Sequence, residues 1–191
     1  MEEMIVLMSL LHGCREATVA LEKVKAVATK AKEEATTPPM PCDAPVSDAP
    51  PKGCLTDTLR CGQTVEGTIV GGESNWNDDF YAGIFCFPAG DDRSGPERVY
   101  LLKAPANQDV QIKLQSDCVD LDLAALAWAY EGTCPGVNHL IPECEGDAKP
   151  GDGNIRLNVF KERDYLVAVE GKRGKTGTYR LTVECTPLGG R

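Results

Sequence analysis

Between residues 154 and 185 the side chains alternate apolar and polar with little interruption, and this period limits the fold more than any other feature of the chain. Ile155, Leu157 and Val159 alternate with Asn154, Arg156 and Asn158; Tyr179, Leu181 and Val183 alternate with Thr178, Arg180, Thr182 and Glu184. A two-residue period puts one face on a core and the other in water, as in a half-buried strand. Between them, 165–170 is almost wholly apolar, as a strand covered on both faces is. The links 161–164 and 171–177 are short and polar, so the stretch reads as a meander of three consecutive strands.

The same habit runs upstream. Residues 64–70 read as a strand with Val65 and Ile69 inward, ended by Gly71-Gly72. Residues 98–103, 110–114 and 121–130 follow as strands, with Val110, Ile112 and Leu114 inward and a hairpin turn over 103–108. The alanines of 121–130 suit a helix, but Asp120 and Asp122 alternate with Leu121 and Leu123; as strand residues both carboxylates point outward and solubilise. Residues 73–79 and 89–95 read as polar loops, and the apolar 80–87, around Cys86, as a short edge strand. Residues 132–153 form a loop long enough to be functional or stapled. Seven to eight strands at this spacing predict an all-β fold, an antiparallel β-sandwich, over residues 54–187.

Nine cysteines are the strongest compositional signal. None forms a Cys-x-x-Cys pair and the two histidines, His12 and His139, are far apart, which excludes a zinc site of usual spacing. Cysteines scattered near strand ends and loops read as disulfides and imply an oxidising, extracytoplasmic compartment. Cys134 and Cys144, in the long loop, are expected to pair. Cys54 or Cys61 with Cys86 or Cys185 are further options, and Cys42 and Cys118 have no assigned partner. The net charge of −9 argues against nucleic acid or an acidic membrane surface as a partner.

The first 53 residues differ in kind. Residues 5–11 are apolar, too few to span a bilayer, which needs about 20. They end Leu11-His12-Gly13-Cys14, which resembles a bacterial lipobox although histidine stands where a small residue is usual and the start is acidic. Residues 1–14 are therefore expected to be a lipoprotein-type signal segment, with Cys14 the lipid attachment site and the membrane reached through that lipid. Without Cys14, eight cysteines remain, an even number that can close four bridges. Residues 15–53 read as a stalk: a marginal helix over 15–35, then a spacer over 36–52 with six prolines.

Few residues offer chemistry. His139 is the only histidine of the body and no Gly-x-Ser-x-Gly elbow exists, so the chain is not expected to be an enzyme; a secreted hydrolase built on His139 is a remote alternative. Asn75, Asn77, Asp78 and Asp79, with Asp91 and Asp92, supply hard oxygen donors of the kind calcium takes, though an acidic loop is more often merely solvated; no cofactor is expected otherwise. Trp76, in a polar loop, is the best candidate for a binding aromatic, while Trp128 and Tyr130 suit the core.

Five segments in order carry a resemblance: Cys61-Gly62 before a strand ending in Gly71-Gly72; Gly95-Pro96-Glu97-Arg98-Val99-Tyr100; Asp120-Leu121-Asp122-Leu123; Asp164 through Gly171; and Gly177 through Cys185. Over about residues 61–185 the chain resembles the bacterial pre-peptidase C-terminal domain, in its cysteine-rich secreted and lipoprotein form. The resemblance implies a jelly-roll-like sandwich and an accessory role beside secreted enzymes, although no protease precedes the domain in this sequence. The expected function is a non-catalytic binding module of the bacterial envelope that takes a protein or glycan. The alternative is a structural module of a surface assembly with no dedicated ligand.

Overall fold

The computed structural model describes residues 42, 54–84, 86–87, 90–130, 133–136, 139 and 141–189. Cys14, and all of residues 1–53 except Cys42, lie outside them. The described residues form β1 (Leu55–Leu59), β2 (Thr64–Thr68), α1 (Asp78–Ile84), β3 (Glu97–Ala104), β4 (Gln108–Gln115), β5 (Leu121–Trp128), β6 (Cys144–Asp147), β7 (Gly153–Val159), β8 (Arg163–Gly171) and β9 (Thr178–Pro187). They make a β-sandwich, with one sheet ordered β1-β3-β8-β5-β6 and the other β2-β9-β4-β7. Every neighbouring pair is antiparallel except β1 with β3.

The three strands of the last third form as their alternation requires, but they are not a meander. β7 and β9 belong to the four-stranded sheet and β8 to the other. The chain changes sheet at every link but β5 to β6. The turn over 103–108 likewise joins two sheets instead of closing a hairpin. A short polar link is compatible with either connection, so periodicity alone does not decide pairing.

Three further expectations change. Residues 80–87 are not an edge strand. Asn77 caps a helix instead, its Oδ1 accepting the Phe80 N–H at 3.1 Å, with Asp78 and Asp79 in the first turn where the helix dipole favours acid. β1 was not expected at all, and β6 lies inside the stretch read as one long loop. Nine strands result among the described residues instead of seven to eight.

Two cores stand back to back. The inner one lies between the sheets and is built from the predicted inward residues, including Val110, Ile112 and Leu114 of β4, Ile155, Leu157 and Val159 of β7, and Leu181 and Val183 of β9. The second lies on the outer face of the five-stranded sheet. There Val99, Ala124, Leu126, Leu166 and Ala168 are covered by Trp76, Tyr81, Cys86 and Phe87 from α1 and its flanks. That is why β5 and β8 bury both faces. The outer face of the four-stranded sheet has no such cover: Asn154, Arg156 and Asn158 of β7 are exposed.

Four disulfides hold this arrangement: Cys42–Cys118, Cys54–Cys134, Cys61–Cys185 and Cys86–Cys144. Their Cα separations of 5.1–5.7 Å suit the bond. Cys134 and Cys144 therefore do not pair with each other. Cys54 precedes β1 and Cys144 opens β6, and those strands are opposite edges of the five-stranded sheet, about 19 Å apart at ordinary strand spacing. The segment from Cys134 to Cys144 serves both edges, so closeness in sequence gave the wrong partner. The eight cysteines after Cys14 are all used, in bonds that belong to an oxidising, extracytoplasmic setting. Among the described residues no helix is long and apolar enough to cross a membrane.

Candidate functional site

Three neighbouring strands carry an acid at the same level on the covered face. Glu97 of β3 pairs in register with Glu170 of β8, which pairs with Asp122 of β5. All three are buried, at 3%, 0% and 0% exposure. The expectation that Asp122 points to water fails because the face it shares with Ala124 and Leu126 lies under the second core. The alternation was right and the face was not open.

Arg93 answers part of this charge. Its Nε donates to Asp122 at 3.0 Å, and its two terminal nitrogens reach Asp78 at 3.3 Å and Asp91 at 3.0 Å. The guanidinium also lies 4.0 Å above the Phe87 ring. Lys172 meets the other Asp122 oxygen at 2.6 Å. The acids offered as calcium donors are thus divided: Asp78 and Asp91 hold Arg93, and among the described residues no group of three or more acids, histidines or cysteines is placed to hold a metal.

The other two acids are held differently. Glu97 accepts the Asn75 main-chain N–H at 2.9 Å, which folds Trp76 beneath the loop. Burial pushes the Glu97 carboxyl up to about 7 against the pull of the Asn75 and Trp76 N–H groups, with the nearby Glu73 charge adding to the rise. Glu170 accepts the Tyr81 hydroxyl through one oxygen, while its second has no hydrogen-bond partner. Burial, then the Glu97 charge, raise Glu170 well above the ordinary carboxylate range. Burial also raises Asp122, opposed by Lys172 and Arg93. The row retains a proton near neutral pH and locks the cover onto the sheet. It lies beneath that cover, so it does not present a surface to a ligand.

Trp76, the predicted binding aromatic, is part of this cover. It is 1% exposed and stacks on Phe80 at 5.2 Å between ring centres, so it is a core residue. Arg93, Glu97 and Glu170 were not singled out from sequence, though one signal existed. Glu170 ends a stretch read as buried on both faces, and a charge there has to be buried too.

The surface-accessible aromatics lie elsewhere. The turns 116–120 and 172–177 mark one end of the sandwich; the turns 105–107 and 160–162 mark the other. Cys118 is at the first end and fastens Cys42 there. Among the described residues the exposed large apolar side chains are Tyr130 at 36% and Phe160 at 72%, both at the second end. Tyr130 sits 4.7 Å from His139 and 5.0 Å from Trp128, ring centre to ring centre, with mutual tilts of 54° and 61°. Trp128 donates its indole N–H to the Tyr130 carbonyl at 2.7 Å and belongs to the second core, as expected of it, whereas Tyr130, expected in the core as well, lies past the end of β5 and is exposed. His139 accepts the Gly136 N–H on Nδ1 at 3.0 Å and packs on Trp128. Every cysteine of the body is in a disulfide and so cannot serve His139 as a thiolate. At the same end an open cleft of about 380 Å³ is lined by Glu143, Asn158, Phe160, Lys161, Arg163 and Tyr165, with Arg163 and Glu143 in an exposed ion pair.

No protein-family model matches the chain, and no curated protein matches it. Among solved structures it is similar to the pre-peptidase C-terminal domain of collagenase from Bacillus anthracis, at 14% identity and a TM-score of 0.41, covering 74% of this chain and 99% of that one. It is also similar to CorA, a surface-associated copper-binding protein of Methylomicrobium album BG8, at 9% identity and 0.42, covering 71% and 100%. A third is PliG of Aeromonas hydrophila, a periplasmic inhibitor of g-type lysozyme, at 15% and 0.38, covering 68% and 99%. At such identities and overlaps these likenesses assign the chain neither a ligand nor an activity.

Proposed function

We propose that the chain is an extracytoplasmic, non-catalytic binding module, held to a membrane by a lipid on Cys14 and docking a partner protein at the end of its sandwich remote from the tether. One observation carries this reading. The Cys42–Cys118 bond fixes Cys42 at one end, and the exposed aromatics lie at the other. From Cys14 to Cys42 there are 28 residues, a reach of at most about 95 Å if fully extended. That length lets the far end face outward.

The chemistry of that end suits a protein. An aromatic anchor on a rigid base, ringed by charged pairs, is the anatomy of an interface hot spot. Tyr130 on Trp128 and His139 supplies the anchor and its base, and the exposed Arg163–Glu143 pair lies at the same end of the sandwich. The tilted rings do not form the flat platform that stacks on a sugar. Eight cysteines closing four bridges, with Cys14 the ninth, also suit a processed N-terminal cysteine.

Two measurements test the reading. Radiolabelled palmitate should enter the full chain in bacteria and be lost in Cys14→Ala; label that survives the substitution removes the tether. Cross-linking on intact cells should capture a partner that Tyr130→Ala and His139→Ala each lose about tenfold, at unchanged melting temperature. Equal capture by both variants removes the docking end, and binding on a glycan array alone replaces the protein partner.

A further inference from the structure

The two sheets expose four edge strands, and three are guarded. β1 is broken by a bulge between Leu55 and Asp57 and follows a disulfide-bonded cysteine. β6 has four residues, begins at a bonded cysteine, and packs Gly146 so close to Phe87 that a Cβ there would lie 2.5 Å from the ring. β2 has five residues and is preceded by the Cys61–Cys185 bond. β7 has seven residues, pairs with β4 in unbroken register along all of them, and contains no proline, cysteine or bulge. Short edges, bulges and covalent staples are among the means of blocking strand addition, and β7 has none of these; its one charged side chain, Arg156, is paired with Asp109.

Its free side is ready to bond. The Asn154 N–H donates to Asp147 at 2.9 Å, so Asn154 faces away from β4. Strand alternation then turns the main-chain N–H and C=O of Arg156 and Asn158 the same way. No described residue bonds them on that side.

We propose that two copies of this chain join their four-stranded sheets through antiparallel pairing of β7 with β7, about a two-fold axis at Arg156. The sequence is what favours a second copy over a foreign strand. Asn154-Ile155-Arg156-Leu157-Asn158 reads nearly the same in both directions, as an isologous contact requires. In this register Asn154 faces Asn158 of the second copy, and each amide can both donate and accept. The capped Asn154 N–H is the only outward donor lost from each strand. Arg156 faces its own counterpart, but each guanidinium is already neutralised by Asp109 of its own chain, with Nε 2.7 Å from Oδ1. Phe160, 72% exposed on the isolated chain, comes opposite Asp152 of the second copy, beside the exposed Pro150 and Gly151. The symmetry covers both phenylalanines at once. One strand pair and two phenylalanine contacts form a smaller patch than a permanent dimer uses, so the association is reversible.

The test is sedimentation velocity on the full oxidised chain from low micromolar to near-millimolar concentration. A concentration-dependent dimer is expected. Asn158→Pro removes an outward N–H and leaves the bonds to β4 untouched; it should weaken the dimer about tenfold or more at unchanged melting temperature. Phe160→Ser should weaken it several-fold. Arg156→Cys should cross-link two chains under mild oxidation, because facing residues of a bonded antiparallel pair lie about 5.5 Å apart, within disulfide range. A monomer at every concentration, which would leave β7 to a strand from another protein, overturns the proposal. So does a dimer indifferent to Asn158→Pro, or an Arg156→Cys chain that stays unlinked.

Discussion

The two outer faces of this sandwich solve the same problem in opposite ways. On the four-stranded sheet, Asp109 with Arg156, Lys113 with Glu184 and Arg180 with Glu66 meet water as pairs between neighbouring strands. On the five-stranded sheet, Glu97, Glu170 and Asp122 occupy equivalent outward positions and are buried under α1 and the loop that follows it. The bare face spends charge on solubility. The covered face uses it as a latch that also has to overcome the cost of leaving water. Identical side-chain types therefore differ in energetic weight by several-fold according to what lies above them.

The largest consequence is at Arg93. Removing it leaves Asp122 buried beside Lys172 alone and releases Asp78 and Asp91. Breaking a buried pair from one side costs about 3–5 kcal/mol. Arg93→Ala should thus lower the melting temperature of the oxidised protein by roughly 10–20 °C. Adding Asp122→Asn should recover part of the loss, because the buried charge that has lost one of its two cations goes with it. A loss under about 1 kcal/mol, the size expected of an exposed pair, would erase the distinction between the faces.

The latch also has a pH signature. Glu97 has an ordinary value of 4.5 and is raised to about 7 in the fold, so between those values the folded chain holds a proton that the unfolded chain has released. Stability must then fall as pH rises through that window, the reverse of a salt-bridged carboxylate. The full shift corresponds to at most about 3 kcal/mol, complete once pH exceeds the folded value. Glu170, raised in the same direction, adds to the slope. Chemical denaturation from pH 5 to 8 should show the decline, and Glu97→Gln, neutral throughout, should flatten it and leave the variant more stable than the parent at pH 8. A stability that rises over this interval would mean the acids are not under a dry cover.

How much of this could be read from sequence follows the same divide. The inner core was legible because its signal is local: Val110, Ile112 and Leu114, or Leu181 and Val183, announce a buried face by a period of two. The second core was not, because Trp76 and Tyr81 meet Leu126 and Leu166 only after the chain has changed sheets several times. No local period records such a meeting. Asp122 shows the limit: its face was assigned rightly, yet whether that face is wet depends on a helix some forty residues earlier. The disulfides repeat the lesson. Cys61 with Cys185 was among the options because both lie at strand ends, while Cys134 and Cys144 misled because they are near in sequence and serve opposite sheet edges.

The smallest expected effect completes the comparison from the bare face. Lys113 and Glu184 approach to 3.0 Å, with both side chains about a third exposed. They sit on neighbouring strands β4 and β9, two residues out of direct register and so on the same face, since Lys113 lies opposite Thr182 and Gln111 opposite Glu184. Solvent screens such a diagonal pair, and ordering two long side chains takes back part of the Coulomb gain. A double-mutant cycle of Lys113→Ala and Glu184→Ala should therefore return a coupling of about 0.2–1 kcal/mol, shrinking further in high salt. The same cycle on Arg93 and Asp122 should return several times that value with little salt dependence, because neither partner reaches water. If the two cycles matched in size and in salt response, burial beneath α1 would not be what separates the faces.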